Sequence, residues 1–332
     1  MQLNLEPLKD KKALLAFSHG VDSTALFYLL VKAGVSFDCA MVNYQTRPSS
    51  NTEEQSAIKL CKQFNKKIFI HKANLNLTSS NFEMTARKIR YEFFDSIICE
   101  FGYEILILAH QLNDATEWLL MQLAKGSGAV GLAGMSEFST RRLKSQNKEI
   151  GVFRPLLSVS RSEILEFLHS QNIKYFIDNS NQNLKFTRNK IRAEFSDSFV
   201  EQFRNGIKKS LELLRDDAKL LLGEFEYNDG ELFIVAKSQN SIYLIDQACK
   251  RLGVLMSQKT RQICTQNDCV ISHKITITSN EKYYFIAPFI KTIMDKKLKD
   301  KFRILKVPAL LRPYLANNLE RLKVLDKFLS QS

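Results

Sequence analysis

Residues 13–30 read ALLAFSHGVDSTALFYLL. An apolar run, Ala13 to Phe17, stops at Ser18, and beyond Ser23 apolar residues return with helical spacing. A short apolar run followed by such a pattern predicts a buried strand leading into a helix. The polar turn Ser18-His19-Gly20-Val21-Asp22-Ser23 then sits at the helix N-terminus. Backbone N–H groups there point outward without intrahelical partners and carry partial positive charge. Small polar residues at this junction therefore predict an anion site.

The rhythm continues along the chain. Strands are predicted over 37–44, 66–75 and 103–110, with helices over 53–65, 81–102 and 114–126 between and after them. This alternation predicts an α/β fold, a doubly wound and mainly parallel sheet with helices on both faces. Ligands of such sheets bind beyond the carboxyl ends of the strands. Ser18–Ser23, Asn43–Arg47 and His110–Glu117 all follow strand ends, so they are expected to share one crevice. The polar, basic stretch 137–149 reads as a mobile surface loop. Ser160 and Glu163 have capping-box spacing. Residues 195–224 read as largely helical, a connection into a small α+β unit. The expected division is a catalytic domain over 1–205 and a linker with a small basic domain over 206–332.

At 332 residues the chain exceeds the size at which one core stops growing. Its 45% hydrophobic and 25% charged residues are those of an ordinary globular protein. No stretch approaches the ~20 apolar residues that span a bilayer. The charged start of the chain does not read as a signal peptide, so the expectation is a cytoplasmic protein without a membrane partner. The six cysteines form no Cys-x-x-Cys, and Cys264, Cys269 and His273 match no zinc spacing. Cys39, Cys61 and Cys99, Trp118 and the Phe-rich segments read as core. The net charge is +13, and residues 206–332 hold 22 basic and 14 acidic side chains. That excess suits either solubility or a polyanionic partner such as nucleic acid.

Three nucleotide loops compete at Ser18–Ser23. A Walker A loop needs a lysine that is absent here, and a dinucleotide fingerprint needs three spaced glycines where only Gly20 stands. What remains, Ser-x-Gly-x-Asp-Ser, resembles the S-G-G-x-D-S pyrophosphate loop (PP-loop) of N-type ATP pyrophosphatases. Further segments follow in order: Asn43–Ser49, ARKIRY over 86–91, AHQLNDATEWLLMQLAKGSGAVGLAGM over 109–135, RPLL over 154–157, and IDNSNQNLKFTRNKIR over 177–192. Together they resemble the bacterial tRNA(Ile)-lysidine synthetases, whose pattern runs A-H-x-x-D-D-x-x-E-T, G-S-G-x-x-G-L-x-G-M, D-x-S-N, R-N-x-x-R. The resemblance covers about residues 13–195, and the later part fits by length alone.

The resemblance implies an ATP-dependent ligase. ATP, with Mg²⁺, adenylates O2 of the wobble cytidine, position 34, in a CAU anticodon. L-lysine then attacks C2 through its ε-amine and AMP leaves, turning a methionine anticodon into an isoleucine one. On this footing Ser18, His19, Gly20, Val21, Asp22, Ser23, Thr24 and Asn43 bind ATP, and Asp22 holds Mg²⁺. The residues alone leave Asp114 and Glu117, three apart on one helix face, open between capping and cation binding. The resemblance implies a catalytic set of Asp22, His110, Asp114, Glu117 and Arg192, with Asp114 as a second Mg²⁺ ligand. Arg188 and Arg192 are one helical turn apart, suited to the α-phosphate or to tRNA phosphate. Arg87 and Arg90 read as tRNA contacts or as partners of Glu83. Lys296, Lys297 and Lys299 lie in a basic amphipathic run, either gripping tRNA or simply solvated. The expected partners are tRNA(Ile) with a CAU anticodon and L-lysine, with a homodimer as the assembly to consider.

Two positions depart from the pattern. His19 replaces a glycine, and Asn113 replaces the first aspartate of the Asp-Asp pair. They favour a rival reading, a non-catalytic RNA-binding relative, against which the retained Asp22, Asp114, Glu117 and Arg192 stand. A PP-loop tRNA thiolase is the nearer rival, but its usual Cys-x-x-Cys is missing.

Overall fold

A computed structural model describes residues 1–46, 49–73, 75, 82–143, 148–177 and 190–329. The chain forms two compact units, Met1–Arg215 and Asp216–Ser332.

The first unit runs β1 Ala13–Ala16, α1 Val21–Lys32, β2 Phe37–Asn43, α2 Ser50–Gln63, β3 Ile68–Lys72, α3 Phe82–Phe101, β4 Ile105–Ile107 and α4 Leu112–Leu123. A single turn α5, Ala129–Leu132, precedes β5 Phe138–Leu143, β6 Lys148–Phe153 and α6 Arg161–Ser170. A π turn, Arg192–Ser196, opens α7, Asp197–Leu222, which begins in the first unit and ends in the second. The sheet order is β3-β2-β1-β4-β6-β5, parallel except for β5 against β6.

Strand β1 is central because both its faces are apolar. Leu14 packs with Phe94, Ile97 and Ile98 of α3. Ala13 and Leu15 face the other way, among Leu26 and Leu30 of α1 and Leu60 of α2. Leu14 and Leu15 are fully buried, each contributing about 1.5–3 kcal/mol. From β1 the chain winds outward through β2 and β3, then returns to β4 on the other side. The order reverses between β1 and β4, which opens the expected crevice at their carboxyl ends.

Local signals set the helix ends. Gly34 adopts φ +69° after α1. Its N–H reaches Val31 O and the Val35 N–H reaches Leu30 O, both at 3.0 Å, closing the helix as a Schellman turn. Ser160 and Glu163 form the expected capping box at α6, with Ser160 N–H donating to Glu163 Oε2 at 2.8 Å.

Within the stretch 137–149, residues 138–143 and 148–149 are strand instead of the expected loop. They belong to the β5–β6 hairpin at the sheet edge, where charged side chains are tolerated because no further strand follows. Arg141 is anchored to Asp95 of α3 by two bonds of 2.7 and 2.6 Å and stacks 4.5 Å over Tyr91. Only Leu143 of β5 is fully buried, so the strand lacks the alternation that would announce it.

The second unit holds β7 Tyr227–Asn228, β8 Phe233–Ala236, α8 Ser241–Arg251, α9 Gln258–Gln266, β9 Cys269–Ile271, β10 Ile275–Ser279 and β11 Tyr283–Pro288. Helices α10 Lys296–Ile304, α11 Arg312–Ala316 and α12 Leu322–Leu329 follow. Its antiparallel sheet is ordered β7-β8-β11-β10-β9. Phe233 and Val235 face α8 and α9, packing with Ile245, Cys249 and Cys264. Ile234 and Phe285 face Phe302, Tyr314 and Leu325 of the last helices. No helix among the described residues is long and apolar enough to cross a membrane.

Candidate active site

The loop after β1 is braced from within. Ser18 Oγ lies 3.1 Å from Ser23 Oγ, and the Ser18 N–H donates to Ser23 Oγ at 3.3 Å. Ser23 Oγ donates in turn to Gly20 O at 3.3 Å. From the flank, the Phe176 N–H donates to His19 O at 3.0 Å. The first N–H groups of α1, from Val21 to Ser23, stand at the crevice without partners inside the helix, as helix geometry requires.

His19 does not face that anion site. It adopts φ +58°, a left-handed conformation that explains why glycine suits the position, and its ring is buried. Nδ1 lies 3.2 Å from Thr24 Oγ1 and Nε2 lies 3.0 Å from Ser56 Oγ, with Phe17 and Phe176 against the ring. Burial holds the imidazole below its ordinary pKa. The side chains of Val21 and Thr24 are also buried. Of the expected nucleotide contacts, His19, Val21 and Thr24 can offer only backbone. Asn43 is buried as well, its Nδ2 donating to Glu54 Oε2 at 2.7 Å and its Oδ1 accepting from Gln45 N–H at 2.9 Å. It holds the turn after β2 instead of reaching into the crevice.

Asp22 does face the crevice. Oδ1 is buried with no hydrogen-bond partner, and Oδ2 lies 3.6 Å from Arg161 Nη1. Burial pushes the carboxyl up to about 6; Arg161 and Arg192 oppose this, while Asp114 and Asp197 add to it. A buried carboxylate oxygen lacking a partner, with other carboxylates near, is what a hard divalent cation would satisfy. Among the described residues no three His, Cys, Asp or Glu side chains gather as a metal site, so what Asp22 offers a cation is this one oxygen.

Across the crevice stands α4. Gln111 caps it, accepting from Asn113 N–H at 2.7 Å, while Asp114 Oδ2 accepts from Gln111 N–H at 3.1 Å. Arg192 reaches over from the π turn. Its Nη2 lies 2.8 Å from both Asp114 Oδ1 and Glu117 Oε2, and its Nε donates to Glu117 at 2.9 Å. Burial works against the guanidinium charge, but the carboxylates of Asp114, Glu117 and Asp197 outweigh it. Both Asp114 oxygens are thus engaged, and its place as a second metal ligand would require Arg192 to move. His110 lies half-buried between β4 and α4.

Other expected residues stand apart. Arg87 and Arg90 are exposed on α3; Arg90 donates to Tyr44 Oη at 3.1 Å, and neither pairs with Glu83 among the described residues. Lys296, Lys297 and Lys299 are exposed on α10, in the second unit. Arg188, Asn189 and the Asp178–Asn181 segment lie outside the described residues. Trp118 is not core. It is 40% exposed, donates to Gly131 O at 3.1 Å and covers Gly134, where a Cβ would stand 2.6 Å from its ring. The GSGAVGLAGM run is therefore shaped around this indole. Phe195, Phe199 and Phe203 are exposed on or beside α7 as well.

Sequence reasoning missed Arg161 and Asp197. Arg161 follows the capping serine of α6, which was the available signal. Asp197 gave none, because an α-helical reading puts it about 140° round from Arg192.

A PP-loop domain match covers residues 1–198. The tRNA(Ile)-lysidine synthase of Campylobacter jejuni is 42% identical over 315 residues, 95% of this chain and 95% of that protein. That of Wolinella succinogenes is 38% identical, covering 93% and 94%. Among solved structures, the U34-tRNA thiolase NcsA of Methanococcus maripaludis aligns with a TM-score of 0.52 at 19% identity, over 64% of this chain and 76% of that one, a likeness of fold. With the PP-loop at the switch point of the sheet and these relatives spanning nearly its whole length, the chain belongs to the tRNA(Ile)-lysidine synthase family of PP-loop enzymes.

Proposed function

We propose that this enzyme uses ATP to join L-lysine to C2 of the wobble cytidine of tRNA(Ile) bearing a CAU anticodon, giving lysidine, AMP and pyrophosphate, in the cytoplasm. The observation that carries this reading is the pairing of two opposite sites across one crevice. On one side the N-terminus of α1 offers N–H groups and the exposed Ser18 hydroxyl to a triphosphate. On the other, Asp114 and Glu117 present carboxylates around a single guanidinium.

Cytidine O2 attacks the α-phosphorus and pyrophosphate departs, its charge met by the helix N-terminus and Arg192. The lysine ε-ammonium passes a proton to water, and the free amine then bonds to C2 as the C2–O2 bond to AMP breaks. Asp114 and Glu117 are the groups suited to receive the α-ammonium charge of lysine once Arg192 turns from them toward the phosphate. Asp22 would hold Mg²⁺, which when bound neutralises phosphate charge. The exposed Arg87 and Arg90, and the basic second unit with Lys296, Lys297 and Lys299, are suited to the tRNA backbone.

The test is AMP release from the full chain with ATP, lysine and a tRNA(Ile) transcript. Release that requires both lysine and tRNA supports the reading. Binding of tRNA with no AMP release under any of these conditions would make the chain a non-catalytic relative.

A further inference from the structure

Asn113 is buried, yet both ends of its amide are occupied by other elements. Its Oδ1 accepts from the Arg161 N–H of α6 at 3.1 Å. Its Nδ2 donates to Asp197 Oδ1 at 2.8 Å. Asp197 is also where the π turn closes, its backbone N–H donating to Arg192 O. One residue thus ends the turn that carries Arg192 and fastens that end to α4, the helix that holds Asp114 and Glu117.

We infer that Asp197 is a positioning residue of the active site, fixing through Asn113 and the π turn where the Arg192 guanidinium stands. The inference rests on the reading of function above. An extra residue in a helical turn offsets the side chains at its start from those after it, and such turns persist where something holds them. Here the holder is a charge-assisted bond, stronger than one between neutral groups. The bond also dictates the partner. Aspartate at 113 could still accept from Arg161, but it would set two carboxylates 2.8 Å apart, with no donor between them. Positions 113 and 197 are therefore coupled: one must donate and the other accept.

The experiment is an exchange. Asp197→Ala removes the fastening and should lower kcat for AMP release about tenfold or more, while KM for ATP stays within about threefold, since the phosphate loop is untouched. Asn113→Asp should fall similarly. The double variant N113D/D197N restores a donor, now on 197, and should recover kcat to within about threefold of the parent chain. A wild-type kcat in Asp197→Ala would overturn the inference, as would an exchange no better than its single variants. If the parent chain releases no AMP with lysine and tRNA, it is the reading of function that fails. The coupling is then read from urea unfolding of the same variants, where losses that the exchange does not restore would overturn it.

Discussion

Glu117 Oε2 stands 2.8 Å from Arg192 Nη2, and Glu117 is only 1% exposed. A carboxylate this deep depends on its cation. Arg192→Ala takes this guanidinium away from two carboxylates at once, and should lower the midpoint of urea unfolding. Arg192→Lys should fold but lose about a hundredfold in AMP release, because one ammonium cannot span Asp114 and Glu117 as the planar fork does.

Asp22→Ala should leave unfolding stability unreduced, since it removes a carboxylate with a buried, partnerless oxygen. Pyrophosphate release should vanish. Near-normal release from this variant would remove Asp22 from the ATP site.

His19 gives the fold a pH limit. The folded chain keeps the imidazole neutral, because burial lowers its pKa from 6.5. As pH falls through 6.5 the unfolded chain binds a proton that the folded chain refuses, so stability is full above that value and declines below it. Asn tolerates positive φ and does not titrate. The thermal midpoint of the parent chain should therefore fall relative to that of His19→Asn between pH 7.5 and 5.5. A constant difference between the two would show that His19 does not set the limit.

Gly134→Ala meets two obstacles, φ +65° and an indole carbon 2.6 Å from the new Cβ. It should destabilise by about 2 kcal/mol. Trp118→Ala in the same chain should recover part of that loss, and strictly additive losses in unfolding would contradict the contact.

The α10 lysines should be read through salt. Replacing Lys296, Lys297 and Lys299 with Ala should make the slope of log K for tRNA against log salt shallower by about two, at roughly 0.7–0.9 per phosphate contact. An unchanged slope would leave them with solubility alone.

The sequence disclosed the parts of the fold that are apolar on both sides. Strands β1, β2 and β4 and their helices announce themselves because nothing else tolerates such runs. The β5–β6 hairpin stayed hidden because an edge strand can be polar, and Trp118 because its partner is a glycine turn instead of a core. At the site, motif positions were legible but side-chain directions were not. His19, Thr24 and Asn43 sit on the right loops and turn inward, since their hydrogen bonds are made by residues as distant as Ser56 and Glu54. Asp197 was invisible for a different reason: a π turn breaks the periodicity on which helix reading depends.

The central position of β1 also governs when the site can exist. One side of β1 pairs early with β2, from Ala13 with Phe37, but its other side waits for Ile105. The last contributors, Arg192 and Asp197, come later still. During synthesis the loop after β1 emerges first and then remains beside an open strand edge until about half of the first unit has been made. Such long-range pairing slows folding and exposes intermediates to aggregation. A chain halted before residue 192 would carry the phosphate loop without the guanidinium across from it, so truncated products should be both inactive and prone to association.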